Sequence, residues 1–195
     1  YSIDLTPPNP KINILNNGSS LSNNPNPTYE VDNVDIGDKI SIHQGSSDCS
    51  SADISQNAQS VTVVDNSSPS LITTSTLAQG IFNLYIKVVD QATNEACVGP
   101  LTYTLDTTVP SPQISLSPNV ISPNTKSTTQ VVVSNIDVGD SVMLYNDRTC
   151  QNIVSQNNNP TQVASGSSIT ITTASLFEGT NTIYTKVADQ AGNVS

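Results

Sequence analysis

Residues 103–112 read YTLDTTVPSP, and residues 1–10 read YSIDLTPPNP. Tyr, Asp, Thr and two prolines recur in register, at Tyr1/Tyr103, Asp4/Asp106, Thr6/Thr108, Pro8/Pro110 and Pro10/Pro112. A segment that appears twice marks the material between its copies as a repeat unit. The offset from Tyr1 to Tyr103 is 102 residues, which suits a β-sandwich domain better than a solenoid repeat of ~20–50 residues. The prolines hold each copy extended and withhold N–H donors from any ladder.

Working outward from the first copy, KINIL at 11–15 predicts a strand A, and Asn17-Gly18 a tight turn after it. Alternating Tyr29 and Val31 place strand B over 28–34, DIGD at 35–38 is a turn, and KISIH at 39–43 is strand C. Residues 61–64 and 71–77 are further strand candidates. Gly80 breaks the chain before IFNLYIKVV at 81–89, strand F, where Phe82, Leu84, Ile86 and Val88 share one face at period two. A polar loop, DQATNEA at 90–96, leads to strand G at 101–105, which runs into the second linker copy.

The second unit repeats this plan. Residues 114–116 match A, 130–134 match B, DVGD at 137–140 matches DIGD, 141–145 match C, and 168–173 form a strand E. Strand F is expected over 180–188, and KVADQAGN at 186–193 aligns with KVVDQATN at 87–94. No stretch has helical periodicity beyond one turn. The expected fold is all-β: two tandem Ig-like/fibronectin III-like β-sandwich domains, the second lacking its last strand. Residues 1–10 read as the tail of a preceding repeat, 11–105 as domain 1, 106–112 as the linker and 113–195 as domain 2. The position equivalent to Cys97 falls just past Ser195, so the chain is expected to continue with a cysteine and a third linker.

Composition narrows the functions. Sixteen acidic against six basic residues give a formal charge of −10, a surface that repels phosphate backbones and anionic lipid, so no nucleic-acid partner is expected. No run of ~18 apolar residues is present, so no direct membrane insertion is expected. Aromatic residues make up 4% of the chain and Trp is absent, so each core should rest on Val, Ile, Leu and a few Tyr.

The YSIDLTPP/YTLDTTVP linker, the DIGD/DVGD turn and the KVVDQATN/KVADQAGN segment, taken in order and shown twice, resemble the bacterial Ig-like (BIg) tandem repeats that form the stalks of large surface adhesins. The resemblance covers both units. It implies an extracellular, bacterial cell-surface, rod-like array whose partners are neighbouring repeats of the same chain, sometimes with calcium held at the domain junctions.

Catalytic chemistry finds little support. The one histidine, His43, lies mid-strand, and its counterpart is Tyr145. No nucleophile elbow, phosphate loop, paired-histidine metal motif or C-x-x-C is present. Cys49 and Cys150 occupy matching positions after strand C, and Cys97 follows the F–G loop. In an exported protein one cysteine pair per domain reads as a disulfide. A Cys49–Cys97 bridge within unit 1 is the expectation, with Cys150 paired to a residue beyond the chain end. Strand C should end far from the F–G loop, and a bridge needs Cα atoms within ~7 Å. Either Cys49 folds back along a C–C′ excursion, or the bridge joins adjacent domains; free thiols are the third reading.

Carboxylates offer a second candidate site. The B–C and F–G loops of a sandwich lie at the pole that receives the incoming linker. In unit 2 this gathers Asp106, Asp137, Asp140, Asp189 and Asn193, and in unit 1 Asp4, Asp35, Asp38, Asp90 and Asn94. Several oxygen ligands from different loops suit Ca²⁺; the competing expectation is that these residues shape turns by accepting nearby N–H groups. Lys87 and Lys186 on strand F are expected to point outward, away from any internal Lys–Asn crosslink. Tyr85, Tyr145 and Tyr184 are expected in the core, which counts against a glycan cleft. Three Asn-x-Ser matches, at Asn17, Asn66 and Asn193, are read as loops only.

The expected function is that of a non-catalytic structural stalk segment. The rivals are a glycan-binding module and a filament protomer, in which a neighbouring copy's opening stretch supplies the missing strand G by strand addition.

Overall fold

A computed structural model describes every residue except 16–18, 65–68, 118–121, 124 and 156–160. The chain divides into two units, Tyr1–Thr107 and Thr108–Ser195. The division falls inside the second linker copy, and the first ten residues group with unit 1.

Unit 1 contains β1 (Lys11–Ile14), β2 (Leu21–Ser22), β3 (Thr28–Asp32), β4 (Lys39–Gln44), β5 (Val61–Thr62), β6 (Ser70–Thr73), β7 (Gly80–Val89) and β8 (Glu95–Leu105). One sheet runs in the order β1-β3-β6 and the other in the order β2-β8-β7-β4-β5. This is the two-sheet plan of a fibronectin III-like sandwich. Its core forms where the inward alternations meet: Tyr29 and Val31 from β3, Ile40 and Ile42 from β4, Leu84, Ile86 and Val88 from β7, Tyr103 and Leu105 from β8. The expected Asn17-Gly18 turn lies outside the described residues.

Strand β8 is the main departure from the sequence reading. It begins at Glu95, where a loop is expected, because Ala96 and Val98 pair with Val88 and Ile86 across the ladder. Gly99 and Pro100 look like a breaker, but they form a bulge. The register passes from Ile86↔Val98 to Leu84↔Leu101, one extra residue on β8, and the strand continues. Gly99 has φ +153, and a Cβ there would sit 2.7 Å from both the Leu84 carbonyl and the Tyr85 ring. Gly99→Ala is therefore expected to lower the unfolding free energy of unit 1 by about 1–3 kcal/mol, read as a drop in the urea midpoint with an unchanged slope. Strand β2 has no counterpart among the strands the sequence predicts. It is two residues in a polar loop, pairing parallel with Thr104 and Leu105.

Unit 2 contains β9 (Gln113–Leu116), β10 (Gln130–Ser134), β11 (Ser141–Tyr145), β12 (Gln162–Val163), β13 (Ser168–Thr172) and β14 (Tyr184–Ala188). Its sheets run β13-β10-β9 and β12-β11-β14. Val131, Val133, Val142, Leu144, Ile171 and Val187 form its core. The expected strand over 180–188 is seen only from Tyr184. In unit 1 the equivalent opening half of β7 is paired to Leu101–Leu105 of β8. Among the described residues of unit 2, the chain beyond β14 adds just the bridge Ala188↔Val194, so 180–183 have no ladder to join.

Two buried tyrosines distinguish the core of unit 1. The Tyr103 hydroxyl donates to the Asn24 carbonyl at 2.6 Å. The Tyr29 hydroxyl is buried with no hydrogen-bond partner among the described residues. Burial, and secondarily the neighbouring Tyr103, push the Tyr29 phenol well above its ordinary range. A phenol pKa raised in the folded state gives stability that is complete below the unfolded value, near 10, and lost as pH rises above it. Unit 1 should weaken at strongly alkaline pH, and Tyr29→Phe should blunt that loss. At neutral pH Tyr29→Phe breaks no bond and is expected to be neutral, or stabilising by up to about 1 kcal/mol. Thermal melts at several pH values check both.

Candidate functional site

The loops at one end of each unit are tied to the incoming segment. In unit 1, Asn33 adopts φ 58 at the end of β3, a left-handed conformation that Asn tolerates, and its Nδ2 donates to the Asn9 carbonyl at 3.4 Å. Asn94 Nδ2 donates to the Asp4 carbonyl at 3.2 Å. Gln91 Nε2, in the β7–β8 turn, donates to the Ile36 carbonyl in the β3–β4 turn at 2.5 Å. Unit 2 repeats the first and third of these contacts. Asn135 has φ 59 and donates to the Ser111 carbonyl at 2.6 Å, while Gln190 Nε2 reaches the Val138 carbonyl at 2.8 Å. Apart from Asn94, these asparagines and glutamines carry no motif that marks them in the sequence. Their recurrence at matched positions, Asn33/Asn135 and Gln91/Gln190, was the available signal.

Among the carboxylates expected to serve calcium, Asp38, Asp90, Asp140 and Asp189 accept N–H groups of their own loops. Asp38, almost fully buried, accepts the Asp35 N–H at 2.9 Å, and Asp140 accepts the Asp137 N–H at 2.9 Å. Asp90 accepts both the Asn94 N–H and its side-chain amide at 2.8 Å each. Asp189 does the same with Asn193. The Asn94 amide, ahead of the backbone N–H groups, holds the Asp90 carboxyl below its ordinary value. Asp4 accepts the Thr6 N–H at 2.9 Å. Asp106 belongs to the first unit, where its N–H donates to the Ser22 carbonyl and prolongs the β2–β8 pairing. Among the described residues, no three His, Cys, Asp or Glu side chains come together as metal ligands. These contacts are of the kind by which Asp shapes a turn.

The other grouping lies on the outer face of the β8-β7-β4 sheet. Past β4 the chain turns back, forming the bridge His43↔Asp53. Within this excursion Cys49, at φ 52, meets Cys97 on β8 with a Cα–Cα distance of 5.8 Å, forming a disulfide. The geometric objection is met by the fold-back: Cys97 pairs with Lys87 across the ladder, on the outer face. His43 is buried beneath this excursion. Its Nδ1–H donates to the Ser51 carbonyl at 2.7 Å, so Nε2 is the acceptor from the Ser41 hydroxyl at 2.8 Å. Both ring nitrogens serve structure. Lys87 points outward and pairs with Glu95 at 2.8 Å.

Of the three tyrosines expected in the core, Tyr85 is on this outer face, and Tyr145 and Tyr184 are on the outer face of the β12-β11-β14 sheet in unit 2. Tyr85 pairs with His43 in register, and Tyr145 pairs with Tyr184. Tyr145 is buried, at 4% exposure, while Tyr85 and Tyr184 are half-buried; all three stand at the opposite parity to the inward residues of their strands, outside the two apolar clusters. Cys150 repeats the turn of Cys49, at φ 51, and carries a free, half-buried thiol. In both turns a carboxylate is held down by local donors. Asp48 is lowered to about 2, by the Ser46 hydroxyl first, and Asp147 is lowered by the Thr149 hydroxyl first. No described helix is long and apolar enough to cross a membrane.

No protein-family model matches the sequence, and no curated protein does either. Among solved structures, the chain is similar to the fibronectin(III)-like modules of Clostridium thermocellum CbhA, at 10% identity, covering 95% of this chain and 89% of that one, with a TM-score of 0.46. It is similar to the BSP domain of a biofilm-associated protein at 14% identity, over 88% of this chain and 26% of that one, TM-score 0.31. Dimeric latent PorU from Porphyromonas gingivalis follows at 16% identity, over 97% of this chain and 20% of that one, TM-score 0.29. The fold assignment rests on strand order and register, not on these similarities.

Proposed function

We propose that the chain is a non-catalytic stalk segment of a bacterial extracellular adhesin or surface protein. The observation that carries this reading is the repeated capture of the incoming segment. In both units a left-handed asparagine, Asn33 or Asn135, binds a carbonyl of the proline-bearing linker. A linker hydrogen-bonded into the body of its own unit and stiffened by proline limits bending. The Cys49–Cys97 disulfide supports an oxidising, extracellular location.

Labelling intact cells of the source organism with antibody raised against this chain tests the location. Surface staining that is lost when the cells are shaved with protease is the expected result. Staining that appears only after the cells are broken open would count against it.

A further inference from the structure

Strand β13 stands at the end of the sheet β13-β10-β9, and among the described residues the one strand it pairs with is β10. The Thr173 N–H donates to the Thr129 carbonyl, on the β10 side, at 2.8 Å. Backbone groups alternate sides along a strand, so Ser168, Thr170 and Thr172 turn their N–H and C=O groups to the outer edge. The Ala174 N–H, of the same parity, is taken by the Val154 carbonyl at 2.6 Å, and the bridge Ser155↔Thr173 closes that end. Between them the edge runs open from Ser168 to Thr172.

Sheet edges are ordinarily guarded by charge, proline or a bulge. β13 reads SITIT, and its neighbours read QVVVS and QISL. None of the three strands carries a charge or a proline, and residues 149–177 carry no charge at all, in a chain of net charge −10. The counterpart sheet of unit 1 is guarded. It carries Lys11 on β1 and Glu30 and Asp32 on β3, and Pro69 directly precedes β6. Glu30 stands beside Leu71 of the edge strand, where unit 2 has Val132 beside Thr170.

We infer that the open edge of β13 is an interaction surface for β13 of a second copy of this chain, the two strands pairing antiparallel about a two-fold axis at Thr170. Thr170 then stands opposite Thr170 of the second copy, Ser168 opposite Thr172, and Ile169 opposite Ile171. Each outward N–H and C=O of Ser168, Thr170 and Thr172 meets its complement, and the sheets join in the order β9-β10-β13-β13-β10-β9. Ile171 is buried in the core and Ile169 packs against it, while Ser168 and Thr170 are exposed on the outer face, so neither unit repacks. Two observations favour a second copy as the occupant. The strand has the same pattern in both directions from Thr170, a hydroxyl residue beyond an Ile on each side, so a two-fold pairing sets like against like. Acidic copies repel one another over the rest of their surface, and this uncharged sheet is where they can meet. The contact is isologous and closes at a dimer. It does not depend on the proposed cell-surface role.

Sedimentation of the 195-residue chain over a wide concentration range tests the pairing, at about 0.15 M salt, where charge repulsion is screened within ~8 Å. A concentration-dependent dimer is the expected result. Thr170→Lys sets like charges face to face across the axis and should move the midpoint at least about tenfold higher, equivalent to about 1.4 kcal/mol; Thr170→Asp should do the same. Thr170 is exposed, so both variants keep their fold, which an unchanged thermal melt verifies. Mixing the two variants should restore the dimer, because Lys then faces Asp. Leu71→Lys, at the matching position of β6 and 50% exposed, should leave association unchanged. A monomer at every concentration overturns the inference, as does association that Thr170→Lys leaves untouched, or that Leu71→Lys weakens equally. Variants that each dissociate but fail to associate on mixing overturn the two-fold register, and growth beyond a dimer overturns the closed contact.

Discussion

Tyr103→Ala is expected to lower the unfolding free energy of unit 1 by about 3–5 kcal/mol, the range for truncating a fully buried aromatic side chain. Tyr103 has no exposed surface and packs in the core with Leu105, Phe82 and Leu77. Its removal opens a cavity at the point where β8 closes the sandwich, and it leaves the Asn24 carbonyl without its 2.6 Å donor. Against a typical domain stability of about 5–15 kcal/mol, this is a large share. Urea unfolding followed by circular dichroism should show the unit 1 transition moved to much lower denaturant, with the unit 2 transition in place. Tyr103→Phe should cost only about 1 kcal/mol, since it keeps the ring and loses one hydrogen bond. Equal losses for Ala and Phe would mean that the hydroxyl, rather than the ring, governs the site.

The second large effect is expected from the disulfide. Cys49 and Cys97 are 48 residues apart, and closing a loop of that length stabilises by about 4 kcal/mol in the chain-entropy model. The double variant Cys49→Ser/Cys97→Ser should lose about that much from unit 1 alone. Reduction of the wild-type protein should give the same shift, and unit 2, whose Cys150 is unpaired, should be indifferent to reductant. The bridge also pins the β4–β5 excursion over His43. Loss of the bridge should therefore raise amide exchange in the segment that includes Ser51 and Asp53 before it affects β7.

The sequence carried the two-unit plan because its evidence was duplicated. The paired linkers, the DIGD/DVGD turns and the alternation at Phe82, Leu84, Ile86 and Val88 each report a local rule that tertiary structure did not override. Three features escaped for physical reasons. β8 hid behind Gly99-Pro100, because a bulge lets a strand pass a dipeptide that normally ends one. β2 is too short to show a period, and it exists because β8 offers it an edge. The outer-face position of Tyr85, Tyr145 and Tyr184 follows from strand parity, while the burial of Tyr145 on that face depends on long-range contacts that no local pattern shows. The candidate carboxylates accompany turns, and the side-chain contacts show the oxygens of Asp38, Asp90, Asp140 and Asp189 accepting their own loops' N–H groups, contacts that no local sequence pattern displays.

The meaning of the repeated YSID/YTLD string also becomes clearer. In the second copy it is the inward-facing end of β8, with Tyr103 and Leu105 buried, whereas Tyr1 and Ile3 of the first copy are exposed and belong to no strand.

Single-molecule stretching of the chain, with and without reductant, tests the mechanical account most directly. A stalk segment with an internal bridge should unfold in two events. Under oxidising conditions the unit 1 event should be shorter than under reducing conditions by the length the disulfide conceals. For the 48-residue separation, at ~3.6 Å per residue, this is about 170 Å. The unit 2 event should be the same in both conditions. Identical extension with and without reductant, or a single featureless extension, would contradict the account.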